Sequence, residues 1–124
     1  MFNLDKNYLY AIIGATTNKE KYGYKVLMNL KQKGFRVVGI NPKYQEIEGV
    51  ECYPALKFCP QKIDVAVFVI NPQIGQQVIM QCLQLGINKI WLQPGAESKQ
   101  IIEFAKQNKM DIIYNACIMK ESEL

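Results

Sequence analysis

YLYAIIGATTNKEKYG, residues 8–23, is the stretch around which the chain is organised. Its first half, Leu9–Ile13, is a short apolar run with β-branched residues, the composition of a strand covered on both faces. The run stops at Gly14, a small polar segment Ala15-Thr16-Thr17-Asn18 follows, and a helical pattern begins near Lys19 or Glu20. Strand, glycine turn and helix start together make an anion site, because the first N–H groups of a helix have no intrahelical partner and its dipole favours negative charge there. Gly14, without a Cβ, lets the backbone turn tightly against a ligand.

Outward from this corner, strands and helices alternate. The pattern predicts a first strand over Tyr8–Gly14 and a helix over Lys19–Lys33, where Tyr22, Val26, Leu27 and Leu30 share one face and Gly34 suits the C-terminal cap. A second strand follows at Phe35–Ile40 and ends at Asn41-Pro42, since proline lacks the donor a ladder needs. Residues 43–62 read as irregular, with a third short strand at Val50–Cys52 and a helical turn near Pro54–Phe58. Asp64–Ile70 holds the most hydrophobic run and is expected as a central strand. Asn71-Pro72 opens a helix to Leu85 with proline in its first turn. A strand at Lys89–Gln93, a helix at about Glu97–Asn108, a strand at Asp111–Tyr114 and a tail from Asn115 complete the chain.

Short connections between alternating strands and helices mean a doubly wound parallel sheet of five to six strands, with helices on both faces, in a single α/β domain over residues 1–124. With order 3-2-1-4-5, and a sixth strand beyond the fifth, the switch point lies between the first and fourth strands, and ligands bind there at the carboxyl ends. The segments that converge on it are Gly14–Asn18, Asn41–Lys43, Ile70–Pro72 and Gln93–Gly95.

Composition narrows the ligand. The apolar share of 49% and charged share of 21% are those of a soluble globular chain. No apolar run reaches the ~18 residues of a membrane span, and MFNLDKNYL is not a secretory leader, so a cytoplasmic location is expected. The net charge of +4 comes from scattered lysines with Arg36 as the sole arginine, which suits a small anion and gives no nucleic-acid face. Cys52, Cys59, Cys82 and Cys117 form no CxxC pair and there is no histidine, so no metal site and no histidine-based catalysis is expected.

A nicotinamide dinucleotide fits poorly. The G-x-G-x-x-G fingerprint is replaced by G-A-T-T-N-K from Gly14, and the second strand ends Ile40-Asn41-Pro42-Lys43 with no carboxylate for a ribose 2′-hydroxyl. Lys43 suits an additional phosphate on the adenosine side, 2′ or 3′, and Lys21 is either its companion or a solvated helix lysine.

Five motifs in order, G-A-T-x-x-x-x-K-Y-G (14–23), V-x-x-I-N-P (37–42), G-V-x-C-Y-P-A-L (49–56), W-L-Q-P-G-A-E (91–97) and C-I-M (117–119), closely resemble the small stand-alone CoA-binding domain proteins. That family is similar to the CoA-binding domain of the succinyl-CoA synthetase α-subunit, a Rossmann-like fold. The resemblance implies non-covalent coenzyme A as cofactor. It implies that Gly14, Ala15, Thr16 and Thr17 line the diphosphate, Asn41 and Pro42 flank adenine and ribose, Lys43 meets a phosphate, and Val69, Ile70 and Asn71 form the facing wall. The pantetheine arm would run past Ile70 toward Gln93, Pro94 and Gly95. Trp91 reads as a core residue at a strand end, and Cys117 as a buried thiol or a partner for the CoA thiol. Synthetase activity is not carried over, because that enzyme needs a phosphorylated histidine and a second subunit.

The leading expectation is a non-catalytic module that binds CoA or acyl-CoA. The alternatives are the accessory half of an acyl-CoA ligase or transferase acting with a partner chain, and an NADP-binding oxidoreductase. Homodimerisation or an unknown protein partner stays open.

Overall fold

The computed structural model describes residues 1–123. The strands are β1 (Leu9–Ile13), β2 (Arg36–Ile40), β3 (Glu46–Ile47), β4 (Val50–Tyr53), β5 (Val65–Phe68), β6 (Lys89–Leu92) and β7 (Asp111–Ile113); the helices are α1 (Tyr22–Gln32), α2 (Pro72–Gln84), α3 (Lys99–Gln107) and α4 (Ile118–Glu121). One sheet runs β3-β4-β2-β1-β5-β6-β7, parallel throughout except for the β3–β4 pair. The expected single-domain Rossmann-like α/β architecture and its strand order are therefore present.

The central strands alternate in what they touch. Tyr10 and Ile12 join Val65, Val67 and Trp91 in a core capped by Val26, Leu27 and Leu30 of α1 and Ile118 of α4. Leu9, Ala11 and Ile13 join Ala66, Phe68, Ile90 and Leu92 in a second core under Ile79 and Cys82 of α2 and Ile101 and Ala105 of α3. A strand with both faces covered must be apolar at every position, which is why β1 and β5 read as continuous hydrophobic runs.

Four expectations are corrected. The sheet has seven strands, because β3, inside the segment read as irregular, forms an antiparallel edge hairpin with β4 around Gly49. The first helix starts at Tyr22, three residues later than expected, because local hydrogen bonds hold the preceding turn. Asn18 N–H donates to Thr16 Oγ1 (3.2 Å), Glu20 N–H to Asn18 Oδ1 (3.0 Å) and Lys21 N–H to the Asn18 carbonyl (3.1 Å). The C-terminal tail contains the short helix α4, too brief for a periodicity to announce. The strand read to Ile70 ends at Phe68, which frees Val69 and Ile70 to face the switch point.

Candidate functional site

β1 is flanked by β2 on one side and β5 on the other, so the switch point lies between β1 and β5 as expected. A cleft of about 700 Å³ opens there, lined by residues of the Gly14–Gly23, Asn41–Tyr44 and Val69–Ile74 segments. Its floor is the β1–α1 corner. Gly14 N–H donates to the Ile40 carbonyl (3.1 Å) and Ala15 N–H to that of Ile12 (3.3 Å), which pins the turn to the strand ends.

Two glycines make this corner. Gly14 has φ +99°, and a Cβ on it would run into the Val69 carbonyl. Gly23, in the first turn of α1, lies against the Gly14 carbonyl so closely that any Cβ would overlap it. Gly23 thus allows the close helix-to-turn approach that the missing fingerprint glycines provide elsewhere. The N–H groups of Tyr22 and Gly23 make no hydrogen bond to the described residues and are available to an anion at the positive end of the helix.

The second wall is tied to the first by two side chains. Asn41 Nδ2 donates to the Ala15 carbonyl (2.9 Å), while its Oδ1 accepts from Lys43 N–H (2.9 Å). The Tyr44 hydroxyl lies 3.1 Å from Thr16 Oγ1 and accepts from Thr17 Oγ1 (3.4 Å). These threonine contacts, with the nearby Lys43 charge, lower the Tyr44 phenol from its ordinary range. Lys21 and Lys43 are exposed, line the cleft and form no salt bridge among the described residues; Glu20 is the one carboxylate lining it.

Of the sequence-predicted residues, the cleft brings together Gly14, Thr16, Lys21, Asn41, Lys43, Val69, Ile70 and Asn71. Ala15 is buried beneath it, contributing its carbonyl to Asn41. Thr17 and Pro42 sit on its exposed rim segments without lining it. Asn71 Oδ1 accepts from Ile74 N–H (3.0 Å) and so caps α2. Gln93 and Pro94 line a neighbouring cavity of about 310 Å³ with Cys117, Met119 and Lys120, and this cavity meets the cleft at Tyr22 and Val69. Gly95 is exposed and lines neither space; its N–H donates to Glu97 (2.8 Å). The Gln93 side chain is buried and already engaged, its Oε1 accepting from Ile118 N–H (2.7 Å) and its Nε2 reaching Cys117 Sγ (3.5 Å). Trp91 is a core residue, with its indole N–H on the Ala116 carbonyl (3.0 Å).

Sequence reasoning missed Glu20, Tyr22, Gly23, Tyr44 and Ile74 as lining residues. Tyr44 adjoins the singled-out Lys43, but its role depends on a loop folding back over Thr16, which no local pattern encodes. Tyr44→Phe, which removes that hydroxyl, is expected to weaken the hold on the Thr16-Thr17 turn by about 0.5–1.5 kcal/mol, read as lost ligand affinity with an unchanged circular-dichroism spectrum.

All four cysteines are free. Burial pushes the Cys82 thiol up to about 12 and raises Cys52, so neither is a nucleophile near neutrality. Cys117, expected buried or ligand-facing, is half-buried on the neighbouring cavity. No helix among the described residues is long and apolar enough to cross a membrane.

The family model described as CoA binding domain matches residues 9–123. The chain belongs to that family. Among its relatives, the α-subunit of the ADP-forming acetate–CoA ligase II of Pyrococcus furiosus is 29% identical over 119 residues, covering 87% of this chain and 26% of the ligase subunit. The ADP-forming acetate–CoA ligase II of Archaeoglobus fulgidus is 30% identical over 114 residues, 82% of this chain and 17% of that protein. The chain thus spans about a quarter or less of these ligases. A solved structure of a conserved hypothetical protein from Pyrococcus furiosus superposes with a TM-score of 0.88 at 41% identity, covering 92% of this chain and 98% of that one. The Ca. Korarchaeum cryptofilum dinucleotide forming acetyl-coenzyme A synthetase 1, in complex with phosphate and ADP, superposes with a TM-score of 0.77 at 27% identity, covering 87% of this chain and 25% of that one. The CoA-binding family resemblance drawn from the five motifs is thereby established.

Proposed function

We propose that this chain binds coenzyme A or an acyl-CoA non-covalently and performs no chemistry on it. The observation that carries the reading is the cleft itself, which sets two helix N–H groups and two lysines, all without a partner among the described residues, at the switch point of a CoA-binding family fold. In this reading the diphosphate sits over Gly14–Thr17 and the start of α1, held by backbone N–H groups and the helix dipole. The adenosine end lies against Asn41 and Pro42, with its 3′-phosphate on Lys43 and Lys21 as charge-assisted donors. The arm passes Val69, Ile70 and Asn71 toward Gln93, Pro94 and Gly95. Four free thiols fit a reducing cytosol.

A second reading, a CoA-binding part that works with other ligase segments or a partner chain, is favoured by the acetate–CoA ligase relatives. It shares the same ligand site and differs in requiring catalytic groups from outside residues 1–124. NADP is a further candidate through Lys43.

Calorimetric titration with CoA, dephospho-CoA, NADP and NAD tests these readings. Tight CoA binding that weakens sharply without the 3′-phosphate is the expected result; binding of NADP alone would overturn it. Lys43→Ala is expected to cost about 1–3 kcal/mol of CoA affinity and to leave dephospho-CoA binding nearly unchanged. Equal losses for both ligands would remove Lys43 from the 3′-phosphate.

A further inference from the structure

The cavity beyond Val69 has a construction that phosphate binding does not require. Its walls are the β6 end and α4, and α4 is held in place from three directions. Gln93 accepts from Ile118 N–H, the Trp91 indole holds the Ala116 carbonyl, and Lys33 Nζ donates to the Met119 carbonyl (2.6 Å) and Ser122 Oγ (3.0 Å). Ile118 is fully buried beneath it. A four-residue helix fixed in this way keeps open a pre-formed space that would otherwise close on its own apolar lining.

That lining is chemically uniform. Tyr22, Val69, Pro94 and Met119 present apolar surface, while the Gln93 amide and the Cys117 sulfur are turned toward one another at 3.5 Å. Lys120 is the one charge, and it is exposed and free to stay hydrated. The volume of about 310 Å³ is roughly twice that of a ~150 Å³ engineered cavity that takes up benzene.

We infer that this cavity is an acyl pocket, and that the ligand is a thioester of CoA with a short, uncharged acyl group of about two to four carbons. The inference rests on the proposed function, because it assigns the far end of the same site. A free thiol would leave most of the apolar lining facing water, whereas an acyl chain buries it at ~0.8 kcal/mol per methylene, about a fourfold gain in affinity for each. A terminal carboxylate would face a mostly apolar lining in which exposed Lys120 is the one cation, so its lost hydration would be poorly offset.

The test is calorimetric titration of the intact chain with CoA and with acetyl-, propionyl-, butyryl- and succinyl-CoA. Affinity is expected to rise about fourfold per methylene from acetyl to butyryl, with each of these thioesters tighter than CoA and succinyl-CoA weaker than butyryl-CoA. Met119→Phe, which fills the pocket, is expected to erase the gain, so that the thioesters no longer rise above one another from acetyl to butyryl. Free CoA binding as tightly as every thioester, or succinyl-CoA binding tightest, overturns the acyl pocket and leaves the CoA site standing. Failure of every CoA species to bind overturns both. If Met119→Phe does not fold, the wild-type series decides alone.

Discussion

Gly14→Ala is expected to cost about 2–6 kcal/mol of stability and to abolish CoA binding. Two costs combine. At φ +99° an L-residue is strained by about 1–3 kcal/mol, and the new Cβ meets the Val69 carbonyl and the Ile70 side chain, an overpacking term of about 1–3 kcal/mol. The clash cannot relax cheaply, since Val69 N–H is bonded to the Ile13 carbonyl (2.9 Å) and Gly14 N–H to that of Ile40 (3.1 Å). Any relief moves the turn, and with it the N–H groups proposed to hold the diphosphate. Gly34→Ala is the control: φ is +90°, yet a Cβ there would meet nothing within 4 Å. It should lose only the backbone part and retain CoA affinity. Urea denaturation and calorimetry of both variants decide the matter, and equal stability losses would mean that the contact with Val69 is not what constrains position 14.

Gln93→Ala is expected to destabilise by about 2–4 kcal/mol and to loosen α4 selectively. Gln93 is 3% exposed, and its Oε1 is the acceptor for Ile118 N–H at 2.7 Å. Truncation strands that donor, costing about 1–3 kcal/mol, and leaves a void beside Cys117. The Trp91 and Lys33 tethers persist, so the remaining fold should hold. Hydrogen exchange at Ile118 is expected to accelerate well beyond that at β1 amides. Affinity for CoA should fall little, while discrimination among acyl-CoAs disappears. An unchanged melting temperature would show that this buried hydrogen bond is dispensable.

The two glycines illustrate what could be read in advance and what could not. Gly14 was legible because a buried strand running into glycine and a polar segment has few structural meanings. Gly23 stood within the quoted motif, yet its contact with the Gly14 carbonyl depends on the angle at which α1 leaves the turn. Lys43 was singled out because no carboxylate follows β2, and it does line the cleft. Tyr44, its neighbour, was not, since its hydroxyl reaches Thr16 across 28 positions of sequence. Gln93 was singled out for its place at a strand end, and the fold spends its side chain on α4.

By itself, the sequence determined the layered α/β plan, the strand order and the location of the crevice. Those follow from periodicity, glycine and proline, which act between near neighbours and leave a trace in local composition. Only the tertiary structure decided where α1 begins, that β3 pairs with β4 at the edge, which side chains tie the two walls of the cleft, and that α4 closes a cavity beyond Val69. Each of these is a contest between hydrogen-bond partners distant in the chain, and its outcome depends on distances that come into being only when the sheet is assembled.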